Sequence, residues 1–287
     1  MNPSFAPLSK INRALRGAGR RPGIERLWFF AALTLGILVT ALGWAQLRDH
    51  ERDLEQAYHD AAADRLTQQI SERLGKVDFI LRGVAGLFGA HSLIERREYE
   101  TYVAGVNPTE ALPEMVGIGF LRRAETVRAE AIEALLSASY DRKIRIFPAP
   151  DPLRSKVVFP VGFIWPLDER TNFFIGYDGY AEPVRRNAID MALRSSVLAM
   201  TAPLILRAVG SGKPIPGVLF YRVARSIDQT SAGDVTDGLI AMGINGDVMF
   251  GSLRDIAAPG YGLLVEDVGE SPPQVLYRSA DAPLQAD

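Results

Sequence analysis

The chain has 287 residues, 47% of them hydrophobic and 23% charged, with a net charge of −2, the makeup of a folded protein and not of a disordered one. So small a charge excludes a general nucleic-acid binder, which needs a strong basic excess. The lack of cysteine excludes disulfides, thiol nucleophiles and thiolate zinc sites, and it fits export to an oxidising compartment without requiring it. The three histidines, His50, His59 and His91, lie in one early helical stretch without metal-ligand spacing, so no metal and no cofactor is expected.

Residues 1–26 form a basic tail carrying Lys10, Arg13, Arg16, Arg20, Arg21 and Arg26. Leu27 to Leu47 follows without a charged residue. At about 1.5 Å per residue this run spans about 31 Å, the thickness of a bilayer core. Trp28 and Trp44 stand near its ends, where indoles favour the interface. The basic flank predicts a cytoplasmic N-terminus and an exported C-terminal side: a single-pass protein of the inner membrane, with the lipid bilayer as its first partner. The rival is a cleaved signal peptide, with small residues at Ala41, Gly43 and Ala45; an uncleaved anchor is preferred because the run exceeds an ordinary signal core.

From Arg48 to Ala90 proline is absent and apolar residues recur at steps of three or four, predicting one long stalk helix over residues 48–92. Ile70, Val77 and Val84 alternate with Leu74, Leu81 and Phe88 in a heptad-like seam. That seam either pairs two chains as a homodimer or packs on the chain's own globular part. A helix from Glu95 to Val106 ends before Asn107-Pro108 and Leu112-Pro113. Strands are predicted at Met115–Leu121, Ile144–Phe147, Val157–Ile164, Phe173–Tyr177, Leu204–Ala208, Gly217–Ala224, Gly238–Ile244, Tyr261–Val268 and Gln274–Arg278. Helices are predicted at Thr126–Ser139, Pro183–Leu198 and Val248–Ile256. The polar stretch Ser226–Asp237 reads as a loop or as a joint between subdomains. Short strands interspersed with helices behind a stalk define an α+β class with antiparallel sheets.

In this order the pieces resemble the CHASE domain, the extracytoplasmic sensor module of plant cytokinin receptors and of many bacterial sensor kinases and diguanylate cyclases. The pieces are Pro113 to Gly119 (PEMVGIG), Phe159-Pro160-Val161 with Ile164-Trp165-Pro166, and Asn172 with Gly176-Tyr177-Asp178. Pro183 to Arg186 with Ala188 and Ala192, and Thr201-Ala202-Pro203 before a strand, complete the set. The resemblance runs from about Ala57 to Tyr277. It implies two PAS-like subdomains on the stalk, a small ligand in the membrane-distal one (93–226), and a dimer that passes the signal along its stalks. The membrane-proximal subdomain (227–287) is expected to be incomplete. Family members usually continue into a second spanning helix and an output domain, whereas this sequence stops at Asp287 without a GGDEF-like, EAL-like or kinase-histidine run. It is therefore expected to be a fragment or a sensor without its own output. In the plant receptors a carboxylate early in the helix after the G-x-D segment reads adenine. Arg185 stands at that place and cannot accept hydrogen bonds, so cytokinin is not the expected ligand.

Arg185 and Arg186 open a helix and offer guanidinium groups to a carboxylate or phosphate; alternatively they bridge to Asp178 or Glu182, or are solvated. Asp178 orients Arg185 or caps the next helix. Thr201 matches a threonine that lies by the ligand in the plant receptors, or is a strand-edge hydroxyl satisfied by backbone. Phe159, Tyr177, Leu204, Leu206, Leu219 and Tyr221 either line a mostly apolar pocket or are filled core. Gly210 to Lys213 looks like a phosphate loop but lacks its spacing, and Ser195-Ser196 has no nearby histidine, so no catalytic residues are assigned. The expected function is a ligand-binding membrane sensor, with a tethered dimerisation or protein-interaction module as the alternative.

Overall fold

A computed structural model describes residues 22–90, 94–169, 171–207, 214–226, 235–256, 262–269 and 272–282. Residues 1–21 of the basic tail, His91, the turn from Gly210 to Lys213 and residues 227–234 lie outside the described residues. The chain divides into two compact units, residues 1–60 and 61–287.

The described part of the first unit is helical. Helix α1 (Pro22–Ala90) starts at a proline, which suits a first helical position because its missing N–H has no intrahelical partner anyway. Residues Leu27–Gln46 are long and apolar enough to cross a membrane, and none of them is buried. The hydroxyls of Thr34 and Thr40 donate to Phe30 O at 2.6 Å and Gly36 O at 2.8 Å, so these two hydroxyls are satisfied within their own helix.

The second unit is built on one antiparallel sheet. Its strands are β1 (Met115–Arg122), β4 (Val161–Trp165), β5 (Ala199–Met200), β6 (Leu204–Arg207), β7 (Pro214–Ser226) and β8 (Val235–Asn245). The order is β4-β1-β8-β7, with β5 and β6 both on the far side of β7. Two further strands, β2 (Ala124–Glu125) and β3 (Val157–Val158), make a separate small pair. Side chains alternate across a strand, so each strand supplies both faces. Ile118 and Phe120 of β1, Val218 and Phe220 of β7, and Ile240, Met242 and Ile244 of β8 form one core with α1 and with α2 (Arg96–Val106). Leu121, Leu219, Tyr221, Leu239 and Ala241 point the other way, toward α4 (Ala129–Tyr140) and α5 (Pro183–Ser195). A register shift opposite Phe120 and Leu121 resets the parity of β4, so Phe163 joins the first face and Val161 the second.

The 3-4 stripe of α1 is consumed by this first face. Val77, Leu81 and Val84 are fully buried and Phe88 is 3% exposed, with Ile70 and Leu74 packed beside them. The Phe88 and Phe120 rings stack at 4.1 Å. Of the two readings of the seam, packing on the chain's own sheet is therefore the one observed for these residues. Polar ties reinforce it. Asp78 accepts from Arg222 of β7 and from Arg82, while Arg73 donates to Met249 O and lies 3.8 Å from Glu114.

Three sequence expectations need correction. Ile144–Phe147 and Phe173–Tyr177 are not strands; a 3-10 turn occupies Asn172–Phe174, and Phe147 and Tyr177 meet only in an isolated bridge. For Phe173–Tyr177 the physical reason is Gly176, which sits at φ +86, left-handed backbone that breaks an extended run. A Cβ there would also fall 2.4 Å from Arg145 O. Gly176→Ala is thus expected to lower stability by about 1–3 kcal/mol, read as a drop in melting temperature of the full chain in detergent. The expected strand Val157–Ile164 splits into β3 and β4 at Phe159-Pro160, where proline supplies no N–H for a ladder. Finally, the expected division at Ser226 falls inside the sheet, because β7 and β8 pair from Gly217↔Asn245 to Ser226↔Val235. The strand before and the strand after that stretch are one hairpin, so β8 belongs with the first body of strands.

After β8 come the short helix α6 (Gly246–Gly251), capped by the Asn245 side chain accepting from Val248 N, and the pair β9 (Leu264–Asp267) and β10 (Gln274–Arg278). The short α3 itself (Pro108–Ala111) precedes β1. The described residues thus form a mixed helix and antiparallel-sheet fold behind a long helix with an apolar N-terminal part.

Candidate functional site

The second face of the sheet is hollowed. A cavity of about 90 Å³ is bordered by β1, β7 and β8 on one side and by Phe174, Tyr177 and Arg185 on the other. The hollow arises where strands carry no side chain. Gly117 and Gly119 of β1 and Gly243 of β8 line it, joined by Ala241. A Cβ at Gly119 would lie 2.9 Å from Phe163 O, so the strands approach closely there. At Gly243 a Cβ would meet Leu219, Leu206 and Val116 at 3.5, 3.6 and 3.7 Å, ordinary contact distances. A Cβ at Gly243 therefore fits without displacing a neighbour. The remaining wall is mostly aliphatic, from Leu121, Val161, Ile164, Leu206 and Leu219.

Three polar groups reach this apolar chamber from its rim. Arg185, on the first turn of α5, lays its guanidinium 4.9 Å from the centre of the Tyr177 ring and is 15% exposed. Its ion-pair partner is Glu182, at 3.7 Å from Nε, beyond hydrogen-bond range. The Glu182 carboxylate is committed elsewhere: it caps α5 by accepting from Val184 N at 3.1 Å and Arg185 N at 3.0 Å. The second group is Tyr221, which is 1% exposed and lines the cavity. Burial pushes its phenol well above the ordinary tyrosine range, with the Arg185 charge pulling the other way. The third is the phenol of Tyr177, also in the wall. Thr171 presents only its methyl side, since its hydroxyl donates to Pro166 O.

Of the nine residues singled out from sequence, Tyr177, Arg185, Leu206, Leu219 and Tyr221 line this cavity. Phe159 is fully buried core beside Tyr180, with ring centroids 5.4 Å apart. Leu204 pairs with Gly217 at the start of β6, outside the lining. Thr201 is fully buried; its hydroxyl accepts from Leu219 N at 3.0 Å, the strand-edge arrangement weighed above. Asp178 serves the backbone: its Oδ1 accepts from Phe159 N at 2.8 Å and Tyr180 N at 3.0 Å. Arg186, unlike Arg185, is spent on carbonyls, donating to Tyr180 O at 2.8 Å and Ala181 O at 3.2 Å. Sequence reasoning missed the glycines and Phe174. The available signal was the glycine at every second position of β1, Gly117 and Gly119, which leaves one face of a strand bare.

Asp178 offers a pH test. Burial, the largest cause, raises its carboxyl above the ordinary value, against the two backbone hydrogen bonds and the Arg186 charge. A folded-state value above the unfolded one means the folded state holds the proton more tightly. This group's contribution to stability is then fullest below the unfolded value and falls as pH rises through the raised one. Asp178→Asn keeps an oxygen for both N–H groups. It is expected to lose that acid-side gain in melting temperature while remaining folded at neutral pH, whereas Asp178→Ala, which strands both donors, is expected to cost about 1–3 kcal/mol. Melting curves of the three proteins from pH 4 to 8 check this.

A mostly apolar chamber with a few polar groups at its rim has the general make-up of small-molecule pockets. The CHASE domain family model matches residues 92–277, more than half of the chain, and the protein belongs to that family of extracytoplasmic sensor domains. The comparison with curated proteins returns no match. Among solved structures, the chain is similar to a protein described as methyl-accepting chemotaxis protein X (16% identity, TM-score 0.48, 81% of this chain and 76% of that one). It is also similar to the periplasmic sensory domain of the Campylobacter jejuni chemoreceptor Tlp1 (9%, 0.46, 77% and 70%). A third likeness is to the ligand-binding domain of the Pseudomonas aeruginosa PAO1 amino-acid chemoreceptor PctC in complex with GABA (16%, 0.38, 78% and 76%).

Proposed function

We propose that the chain is a single-span inner-membrane sensor whose cavity on the second face of the sheet takes a small molecule, and whose helix α1 carries the response toward the membrane. The observation that carries this reading is the alternation along β7. Tyr221 lines the cavity, and the next residue, Arg222, reaches the opposite face and holds Asp78 of α1. A ligand that shifts Tyr221 therefore acts on a strand directly tied to the helix. Coupling of about 1–3 kcal/mol suffices for signalling, provided the ligand discriminates between two positions of the helix.

In this reading the N-terminus is cytoplasmic and the sensor lies in the periplasm. The strands up to β8 form the membrane-distal PAS-like subdomain, and the β9–β10 pair begins a membrane-proximal one. The response feeds a histidine kinase or diguanylate cyclase. The protein works as a homodimer. Since the heptad-like stripe is buried in the chain's own core, the pairing surface is the opposite side of α1, where Phe79 is 77% exposed and a Cβ at Gly75 or Gly86 would meet nothing within 4 Å. The interaction-module alternative would fit a collapsed pocket; the open cavity favours a ligand.

The cysteine-free chain makes each introduced cysteine a unique reporter. A cysteine at the exposed Thr109 is expected to react with a membrane-impermeant maleimide added outside the inner membrane, and a cysteine at Phe79 to give a disulfide-linked dimer on mild oxidation. Protection of Thr109→Cys until the membrane is opened would reverse the topology. A Phe79→Cys protein that stays monomeric would remove the dimer surface.

A further inference from the structure

Resting on the cavity as the ligand site, we infer that its ligand is a monocarboxylate with a short hydrocarbon body and no ammonium group. Two side chains able to donate to an anion border the same small chamber. The Arg185 guanidinium lies beyond hydrogen-bond range of its ion-pair partner Glu182, and the side chain of Tyr221, 1% exposed, ends in a hydroxyl that can donate to an anion. Both belong to the same lining. A carboxylate between them takes charge-assisted bonds from the guanidinium and a third from the phenol, and it satisfies both groups at once. Tyr177 holds the guanidinium plane from behind.

The same residues exclude other chemistries. No carboxylate is among the described lining residues, so an ammonium group entering the cavity would be buried unpaired. Asp178 and Glu182, the nearest acids in sequence, are committed to backbone N–H groups. A phosphate is no better served. The first amides of α5 are occupied, Val184 N and Arg185 N by the Glu182 side chain and Arg186 N by Glu182 O, so the helix end offers a dianion nothing beyond Arg185. The chamber also limits the tail. An apolar cavity of about 150 Å³ takes benzene, and this one is about 90 Å³. In proportion, a tail of about two to four carbons matches that space and the wall of Leu206, Leu219, Val161 and Ile164.

The test is a melting and titration panel on the full chain in nanodiscs, using valerate, butyrate, butylamine, norvaline, butyl phosphate and adenine. Valerate or butyrate is expected to raise the melting temperature and to bind at least about tenfold more tightly than norvaline, the others giving no shift. Arg185→Gln is expected to weaken valerate binding by about ten- to a hundredfold and Tyr221→Phe by about three- to tenfold. Arg185→Lys, which keeps the charge, should bind intermediately and shows that loss in Arg185→Gln is not unfolding. Valerate binding unchanged in Arg185→Gln overturns the inference, as does a panel in which no carboxylate binds. Tighter binding of norvaline, butylamine, butyl phosphate or adenine, abolished by filling the cavity at Gly243, overturns the ligand class and leaves the cavity as the site.

Discussion

Leu81→Ala is expected to lower the stability of the extracytoplasmic fold by about 2–5 kcal/mol, the usual cost of truncating a fully buried leucine. Leu81 is 0% exposed and sits between Val77, Val84 and Phe88 against the first face of the sheet. Its removal leaves a cavity in the one layer that joins α1 to β1, β7 and β8. For the neighbouring Phe79, 77% exposed on the other side of the same helix, alanine should change the stability of the monomer by no more than about 0.5 kcal/mol and act only on its pairing. Denaturant midpoints of the two variants distinguish the packed stripe from a dimer seam. If the stripe served dimerisation alone, Leu81→Ala would shift the monomer–dimer equilibrium and leave the denaturation midpoint of the monomer in place.

Gly243→Val is expected to abolish ligand binding, by more than about a hundredfold, without unfolding the protein. The Cβ finds ordinary contacts at 3.5–3.7 Å, and because Gly243 lines the chamber the two methyl groups beyond it are expected to fill it. Overpacking elsewhere in the core costs about 1–3 kcal/mol. Here the substitution enters existing space, so a melting temperature close to that of the parent is expected. Gly238 makes the contrast: a Cβ there would lie 2.0 Å from Leu121 O, so Gly238→Val should disrupt the β1–β8 pairing itself. Equal loss of fold in both variants would mean that the hollow at Gly243 is not open.

Much of this architecture was legible in the residues. The uncharged run from Leu27 and the steps of three and four after it gave α1 because both signals are local and periodic. The alternating segments that became β1, β7 and β8 were found for the same reason. What escaped was set by distant contacts. The segment from Phe173 to Tyr177 has strand-like composition, yet the left-handed Gly176 and the carbonyl of Arg145 against it fix a turn. Ser226–Asp237 is polar enough to separate domains, and only the pairing of the strands around it shows a hairpin. The fate of the 3-4 stripe on α1 depends on which apolar surface meets it first, which no helical period encodes.

The cavity was half legible. Tyr177, Arg185, Leu206, Leu219 and Tyr221 were chosen from sequence and are its neighbours in space. Asp178 and Thr201 were chosen on the same resemblance, and their oxygens accept from backbone N–H groups instead. Polar type and position do not reveal whether a side chain is free for a ligand; that depends on which backbone donors fold leaves beside it. The glycines on β1 and β8 carry no chemistry of their own, and what they contribute is an absence of side chain on one face.

The most direct measurement is a ligand screen by melting temperature, run in parallel on the full-length protein and on Gly243→Val in nanodiscs, with a library that includes short carboxylic acids, amino acids, amines and purines. A compound that stabilises the parent and leaves Gly243→Val unmoved is the expected result. A library that moves neither protein, or hits that move both equally, would contradict a ligand site in the hollow of the sheet.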